Sequence, residues 1–186
     1  MKNYFVFSLF LLLIFFTGCS TPGTDSSDNS SKKAANSIIL TQIDLRLAVG
    51  TNVSGTLTIE LRDATGSTPA LWSNTINTST LHSGAGSYWN SFTVPDIELT
   101  NKQTYRIYVT RSDAQDIPNS NTISWNSSDS GDDEYTQGFS SSGNSNIDFT
   151  FRIFDDGIVN QQMESVEYGY SVFNTGYLWQ EFVPES

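Results

Sequence analysis

The sequence has little cysteine, histidine or positive charge. One cysteine and one histidine occur in 186 residues, so an internal disulfide is excluded and a zinc site, which needs clustered Cys or His, is not expected. Nine Lys and Arg stand against 20 Asp and Glu, a net charge of -11. This balance argues against nucleic acid and against electrostatic docking on anionic lipid, since both need clustered basic side chains. His82 is the one histidine that could act as a base, and no motif in the sequence assigns it both an orienting carboxylate and a nucleophile, so a hydrolytic triad is not predicted.

Long apolar runs are also scarce, and the one present lies at the N-terminus. It extends from Tyr4 to Phe16 behind a single charge, Lys2, and only Ser8 interrupts it. The run is shorter than the ~20 residues that a membrane-spanning helix needs. It therefore predicts the hydrophobic region of a signal peptide comprising residues 1–18.

The run ends in Phe16-Thr17-Gly18-Cys19, which contains the only cysteine. This ending resembles the lipobox of bacterial lipoproteins, although Phe16 stands where an aliphatic residue is usual. The resemblance implies cleavage before Cys19 and acylation of both its thiol and the new N-terminus, and more than one acyl chain makes anchoring stable. With Ser20 rather than Asp next, it further implies a bacterial envelope protein anchored at the outer membrane or cell surface. The alternative is an ordinary signal peptide with an incidental cysteine.

After Cys19 the chain is small and polar up to Asn36, so residues 19–36 predict a flexible tether. From residue 37 onwards, apolar and polar residues alternate with a period of two, and no helical period is sustained. We predict strands around residues 43–47, 57–61, 105–109, 147–153 and 166–172, and one from Trp89 to Val94 that Pro95 ends. Polar turns separate them, which favours an all-β antiparallel sandwich over residues 37–186, with a closed barrel as the lesser alternative.

Three of these segments resemble the small jelly-roll modules of bacterial surface and secreted proteins, some of which bind carbohydrate. They are the stretches Leu40 to Leu47, Gly55 to Leu61 and Tyr105 to Val109. The resemblance spans residues 37 to 154 and implies a jelly-roll-like fold. Fold likeness does not by itself carry function.

The first strand of such modules is missing before Leu40, and the C-terminal stretch from Trp179 to Pro184 resembles it. One interpretation is that this strand closes the sheet of its own chain. Another is that it pairs with the open edge of a neighbouring copy, which would build an oligomer by strand addition. A third is a tandem array that has been cut short. We favour pairing within the chain, because it removes an exposed sheet edge.

Aromatic residues indicate a candidate ligand site between residues 111 and 140. Trp125 and Asn126 precede an acidic loop, and a sugar ring needs an aromatic face for stacking together with polar groups for its hydroxyls. Tyr135, Arg111 and Asp113 are the further candidates. Alternatively Trp125 packs into the core, where we also place Trp72 and Trp89.

The acidic loop itself is a candidate for binding calcium. Asp129, Asp132, Asp133 and Glu134 provide four carboxylates within six residues, the oxygen ligands that Ca²⁺ prefers. The spacing does not match an EF-hand, and a solvated acidic loop is the alternative. No other cofactor is indicated.

Together these features predict a non-catalytic, lipid-anchored surface protein that binds a glycan or another extracellular partner through the 111–140 region. The alternative is a structural envelope subunit that self-associates through its C-terminal strand. A glycoside hydrolase with paired carboxylates is the third hypothesis, but no motif marks such a pair.

Overall fold

The computed structural model describes residues 36–112, 122–128, 141, 148–163, 168–172 and 177–185. The predicted signal peptide and Cys19 lie outside these residues, as does all of the predicted tether except Asn36. The strands are β1 (Ser37–Val49), β2 (Thr56–Asp63), β3 (Trp72–Asn77), β4 (Tyr88–Thr100), β5 (Tyr105–Arg111), β6 (Ile123–Ser127), β7 (Phe151–Asp155), β8 (Ile158–Met163), β9 (Tyr168–Ser171) and β10 (Leu178–Phe182). A short 3₁₀ turn, Thr78–Thr80, follows β3.

The strands form two antiparallel sheets, which confirms the predicted all-β sandwich. In sheet A the order is β8-β7-β1-β6-β9, and β4 pairs with the other edge of β1. The long strand β1 meets β7 along Leu40–Leu45 and then β6 along Leu47–Val49. Sheet B has the order β10-β5-β2-β3.

The core lies between the sheets because alternate residues of each strand point inward. Sheet A contributes buried Ile43, Leu45, Leu47, Phe151 and Ile153, and sheet B contributes buried Leu57, Ile59, Leu61, Ile107 and Val109. The same alternation leaves every second residue of each strand on an outer face.

The prediction that Pro95 ends its strand is wrong, since β4 continues through Pro95 to Thr100. Within the described residues β4 pairs only with β1, so Pro95 lies in an edge strand, where proline is tolerated. The register shifts between Leu40 and Gln42 of β1, opposite this part of β4. Such an irregularity lets a strand pass a residue that breaks the regular pairing.

The C-terminal strand belongs to the sheet of its own chain. Residues Leu178–Phe182 pair with Val109–Tyr105 of β5 in antiparallel register. Pairing within the chain, which we favoured, is therefore confirmed, and β10 forms one edge of sheet B.

Candidate functional site

Trp125 lies in the core and not on the surface. Its side chain is 0% exposed, and its ring stacks on Phe149 with centroids 4.7 Å apart. The indole N–H donates a hydrogen bond to the carbonyl oxygen of Thr150 at 2.9 Å. The structure thus corrects the interpretation of Trp125 as a stacking surface and agrees with the alternative, because neither ring face is open to a sugar.

Arg111 and Asn126, two other predicted ligand residues, belong to different sheets. Arg111 is buried at the end of β5, and its Nη2 donates to the carbonyl oxygen of Ser54 at 3.2 Å. Asn126, on β6, lines an open groove of about 430 Å³ together with Ser87 and Ser124. The groove and the Arg111 hydrogen bond share no residue.

The remaining predicted site residues lie outside the described part of the chain: Asp113, Tyr135, Asp129, Asp132, Asp133, Glu134 and Cys19. Within the described part, no group of three or more His, Cys, Asp or Glu side chains is placed to hold a metal ion. No helix among the same residues is long and apolar enough to span a membrane.

The outer face of sheet B carries a cluster that the sequence-based prediction missed. We call it the Arg–aromatic face and define it by Arg62, Arg106, Tyr108, Tyr177 and Trp179. Alternation turns Arg62 of β2, Arg106 and Tyr108 of β5 and Trp179 of β10 outward, since their neighbours along each strand point into the core. The register then sets Arg62 beside Arg106, and Tyr108 beside Trp179.

Each guanidinium of this face lies over at least one aromatic ring. The Cζ atom of Arg106 is 4.5 Å from the centroid of Trp179. The Cζ atom of Arg62 is 4.5 Å from the centroid of Tyr108 and 5.2 Å from that of Tyr177. Tyr108 and Tyr177 meet edge to face, with centroids 5.6 Å apart. Such contacts hold the rings in fixed orientations.

Both arginines are also paired with glutamates, which neutralise the face. Arg62 forms an ion pair with Glu60, and Nη2 of Arg106 lies 2.7 Å from Oε1 of Glu181. Burial lowers the pKa of Arg62, but its hydrogen bond to Glu60 and the charge of Glu60 outweigh this, so that the pKa is raised. The pKa of Arg106 is raised in the same way against burial, chiefly by its hydrogen bond to Glu181. Both guanidinium groups therefore remain charged at any physiological pH.

The turn between β2 and β3 forms one wall of this face. The Asp63 carboxylate accepts hydrogen bonds from the hydroxyl groups of Thr65 and Ser67, at 2.5 and 2.9 Å. These hydrogen bonds lower the pKa of Asp63, and the bond from Thr65 has the larger effect. Nη1 of Arg62 donates to the carbonyl oxygen of Gly66 at 3.1 Å, which ties the turn to the face.

Part of the Arg–aromatic face is open to solvent. Tyr177 is 49% exposed and Trp179 is half-buried, whereas Tyr108 and Arg62 are covered by their neighbours. Exposed ring surface beside fixed donors and acceptors can bind a ligand that has apolar and hydroxyl-bearing faces. The sequence signal that could have revealed this face is the alternation of each strand, which places Arg62, Arg106 and Tyr108 at positions between inward-facing residues.

Fold and face together define the class: an all-β sandwich with an arginine-rich aromatic surface on the outside of one sheet. Comparison of the chain with protein-family models, with curated proteins and with solved structures finds no match to any of them.

Proposed function

We propose that the chain is a non-catalytic, lipid-anchored protein of the bacterial envelope whose Arg–aromatic face binds a glycan. The observation that carries the proposal is the placement of three aromatic rings and two paired guanidinium groups on one outer sheet face. Sugar rings stack on aromatic surfaces, while guanidinium and carboxylate groups hydrogen-bond to hydroxyls. This keeps the predicted ligand class but moves its site from the 111–140 region to sheet B.

The order of this face supports binding because little needs to be rearranged. Arg106 is fixed both by Trp179 and by a two-nitrogen contact with Glu181, whose Oε1 accepts from Nε at 2.8 Å and from Nη2 at 2.7 Å. A side chain that is already ordered loses little conformational entropy when a ligand arrives. The accessible parts of Tyr177 and Trp179 then provide the contact area.

The lipobox-like ending at Cys19 and the polar tether supply the other half of the proposal. An acylated Cys19 would hold the sandwich at a membrane surface, and residues 20–36 would let it reach a glycan some distance away. A net charge of -11 keeps such a domain from settling on anionic lipid.

Assembly through the C-terminal strand is not favoured by the geometry. β10 already pairs with β5. In addition, the main-chain N–H of Trp179 donates to Ser141 Oγ, and the main-chain carbonyl oxygen of Trp179 accepts from the Ser141 N–H, both at 2.9 Å. A neighbouring copy would have to displace these bonds at this position.

Co-sedimentation with insoluble polysaccharides tests the proposal. The full-length chain, purified with its anchor in detergent micelles, is mixed with chitin, cellulose or purified peptidoglycan. We expect binding to at least one of them and a loss of about tenfold or more in the double variant Tyr177→Ala, Trp179→Ala, because both stacking surfaces disappear.

The matched control is Ile158→Ala, which removes an apolar side chain that is 74% exposed on β8 of sheet A. This variant should bind like the wild type. Equal binding by the double variant and the wild type, or no binding of the wild type to any of the three polysaccharides, would overturn the proposal.

A further inference from the structure

A second concave site lies on the open side of the sandwich, between the free edges of β3 and β4. In the described part of the chain β3 pairs only with β2, and β4 pairs only with β1. The cleft between these two edges has a volume of about 360 Å³. This is within the size range of small-molecule sites in proteins.

The cleft combines an apolar floor with uncharged polar walls. Ile76, Leu81 and Phe92 belong to the core or pack against it, and they contribute to the lining. The walls include Asn74, Ser91 and Thr93. Amides and hydroxyls both donate and accept hydrogen bonds, so they suit a ligand that does the same.

The wall side chains are available to a ligand. Asn74 is half-buried and Ser91 and Thr93 are exposed, and none of the three side chains bonds to another described residue. Three unused uncharged polar groups around one apolar floor are what a neutral polyhydroxylated molecule requires.

Trp89 adds an aromatic wall whose orientation is fixed. The prediction that it lies in the core is wrong, since it is half-buried on the outer side of sheet A. The Cζ atoms of Arg152 and Arg46 lie 4.0 and 5.9 Å from its ring centroid, and Nε of Arg46 donates to Ser87 Oγ at 3.1 Å. A tryptophan held in this way contributes ring surface to the cleft at low entropic cost.

We infer that this cleft binds a neutral saccharide unit. No charged side chain is among the described residues that line it, in a chain with a net charge of -11. The lining itself offers an ionic ligand no charged partner, whereas a sugar would bury its apolar face on the floor and bond to the walls. The inference does not depend on the Arg–aromatic face, which lies on the outside of sheet B.

An extended peptide paired with the free edge of β4 is the competing occupant. Pro95 argues against it, because proline has no N–H to donate to an added strand. The 3₁₀ turn at Thr78–Thr80 and Leu81 also stand at the cleft, where a continuous strand would have to pass.

The indole N–H signals of the tryptophans distinguish the sites in one experiment. The full-length chain is labelled with ¹⁵N-tryptophan and kept in detergent micelles, and its four indole signals are assigned with Trp→Phe variants. The probes are cellohexaose, chitohexaose, xylohexaose and mannohexaose. We expect at least one to shift the Trp89 signal in a saturable way, equally at about 50 and 500 mM NaCl, because no charge takes part.

Two variants test the walls, and one serves as their control. Asn74→Ala and Ser91→Ala should each weaken this binding by about fivefold or more, as expected for a lost hydrogen bond of ~1 kcal/mol. Ser73→Ala, the neighbour that points away from the cleft, should not weaken it. An unchanged signal of the buried Trp125 indole verifies that each variant is folded.

Several outcomes overturn the inference. The first is that none of the four sugars shifts the Trp89 indole signal. The second is that Asn74→Ala and Ser91→Ala both bind as tightly as the wild type. The third is that the Trp89 signal shifts only when a strand-forming peptide of alternating Thr and Val is added. A shift confined to Trp179 would support the Arg–aromatic face and overturn the cleft. A shift confined to the Trp89 signal would support the cleft and count against the Arg–aromatic face.

Discussion

The side chain of Gln180 accepts a hydrogen bond from the main-chain N–H of Phe149, with 2.8 Å between Oε1 and N. Its Nε2 donates to Oδ1 of Asp148 at 3.0 Å, and both side chains are buried. Gln180 lies on β10 of sheet B, whereas Phe149 bridges to Ser127 of sheet A. The C-terminal strand is thus bonded to β5 by its main chain and to the opposite sheet by this side chain.

Replacing Gln180 by leucine should destabilise the protein by about 1–3 kcal/mol, because a buried N–H loses its acceptor and a buried carboxylate loses a donor. Chemical denaturation of the full-length chain measures the change. Gln162→Leu, at an exposed position on β8, is the control and should change the free energy of unfolding by less than about 0.5 kcal/mol. Equal stabilities of the two variants would show that the bridge between the sheets contributes nothing.

Trp125→Ala should cost about 3–5 kcal/mol of unfolding free energy, since it leaves a cavity in the core and removes the bond to Thr150. Trp125→Phe should cost less, because it fills most of the space while leaving the Thr150 carbonyl without the indole donor. Thermal unfolding followed by circular dichroism ranks the three proteins. If Trp125→Ala melted with the wild type but failed to bind polysaccharide, Trp125 would be a ligand residue after all.

The fold was predictable because its strong signals are local. Alternation in segments such as 43–47, 57–61 and 105–109 predicts half-buried strands, and all three lie in strands of the structure. The alternation could not show which strands meet, because pairing joins residues far apart in the chain, such as Ser37 and Thr100. The strand β3 was missed, since only its inward side is partly buried and no apolar run marks it.

The site was less predictable, and Trp125 shows why. A tryptophan flanked by Ser and Asn has the same local sequence whether it faces the core or the solvent, and only the packing of Phe149 against it decides. Trp89 was predicted to lie in the core but is on the outer side of sheet A, and this position follows from its register beside Arg46 on β1. The Arg–aromatic face likewise arises only when β2, β5 and β10 are brought side by side.

The turn at Asp63 should respond to acid. Hydrogen bonds from Thr65 and Ser67 lower the pKa of the Asp63 carboxylate below its usual value of 3.8. The stabilisation from these bonds is therefore fully present above pH 3.8 and is lost as the pH falls through the folded-state pKa. A ¹³C NMR titration of the carboxyl group gives this pKa directly. The amide signals of Thr65 and Ser67 should move with the same midpoint, and Asp63→Asn should abolish their movement. A midpoint at or above 3.8 would contradict the expectation.

Cys19→Ser should abolish membrane attachment without disturbing the sandwich, because it removes only the thiol that the lipobox-like ending would acylate. Phase separation in a temperature-sensitive non-ionic detergent checks this in bacterial cells that process lipoproteins: the wild type should enter the detergent phase and the variant the aqueous phase. Circular dichroism should show the same strand content for both. A wild-type chain found in the aqueous phase would mean that Cys19 is incidental.

Gly66→Ala should destabilise the turn for two separable reasons. Gly66 has φ of +68°, a conformation that costs an alanine about 1 kcal/mol or more, and an added Cβ would overlap with the hydroxyl oxygen of Tyr108. Tyr108→Phe removes that oxygen, so the double variant should recover the steric part of the loss but not the backbone part.

The free energies of unfolding of the two single variants and the double variant give the coupling between the sites. Gly157→Ala is the matched control, since Gly157 has φ of +81° and an added Cβ there meets nothing within 4 Å. The unfolding free energy that Gly157→Ala loses should equal only the backbone part of the Gly66→Ala loss. Adding Tyr108→Phe should not change the loss caused by Gly157→Ala. Strictly additive losses for Gly66→Ala and Tyr108→Phe would show that the turn does not rest on the Tyr108 hydroxyl, and the wall of the Arg–aromatic face would then be free to move independently of its rings.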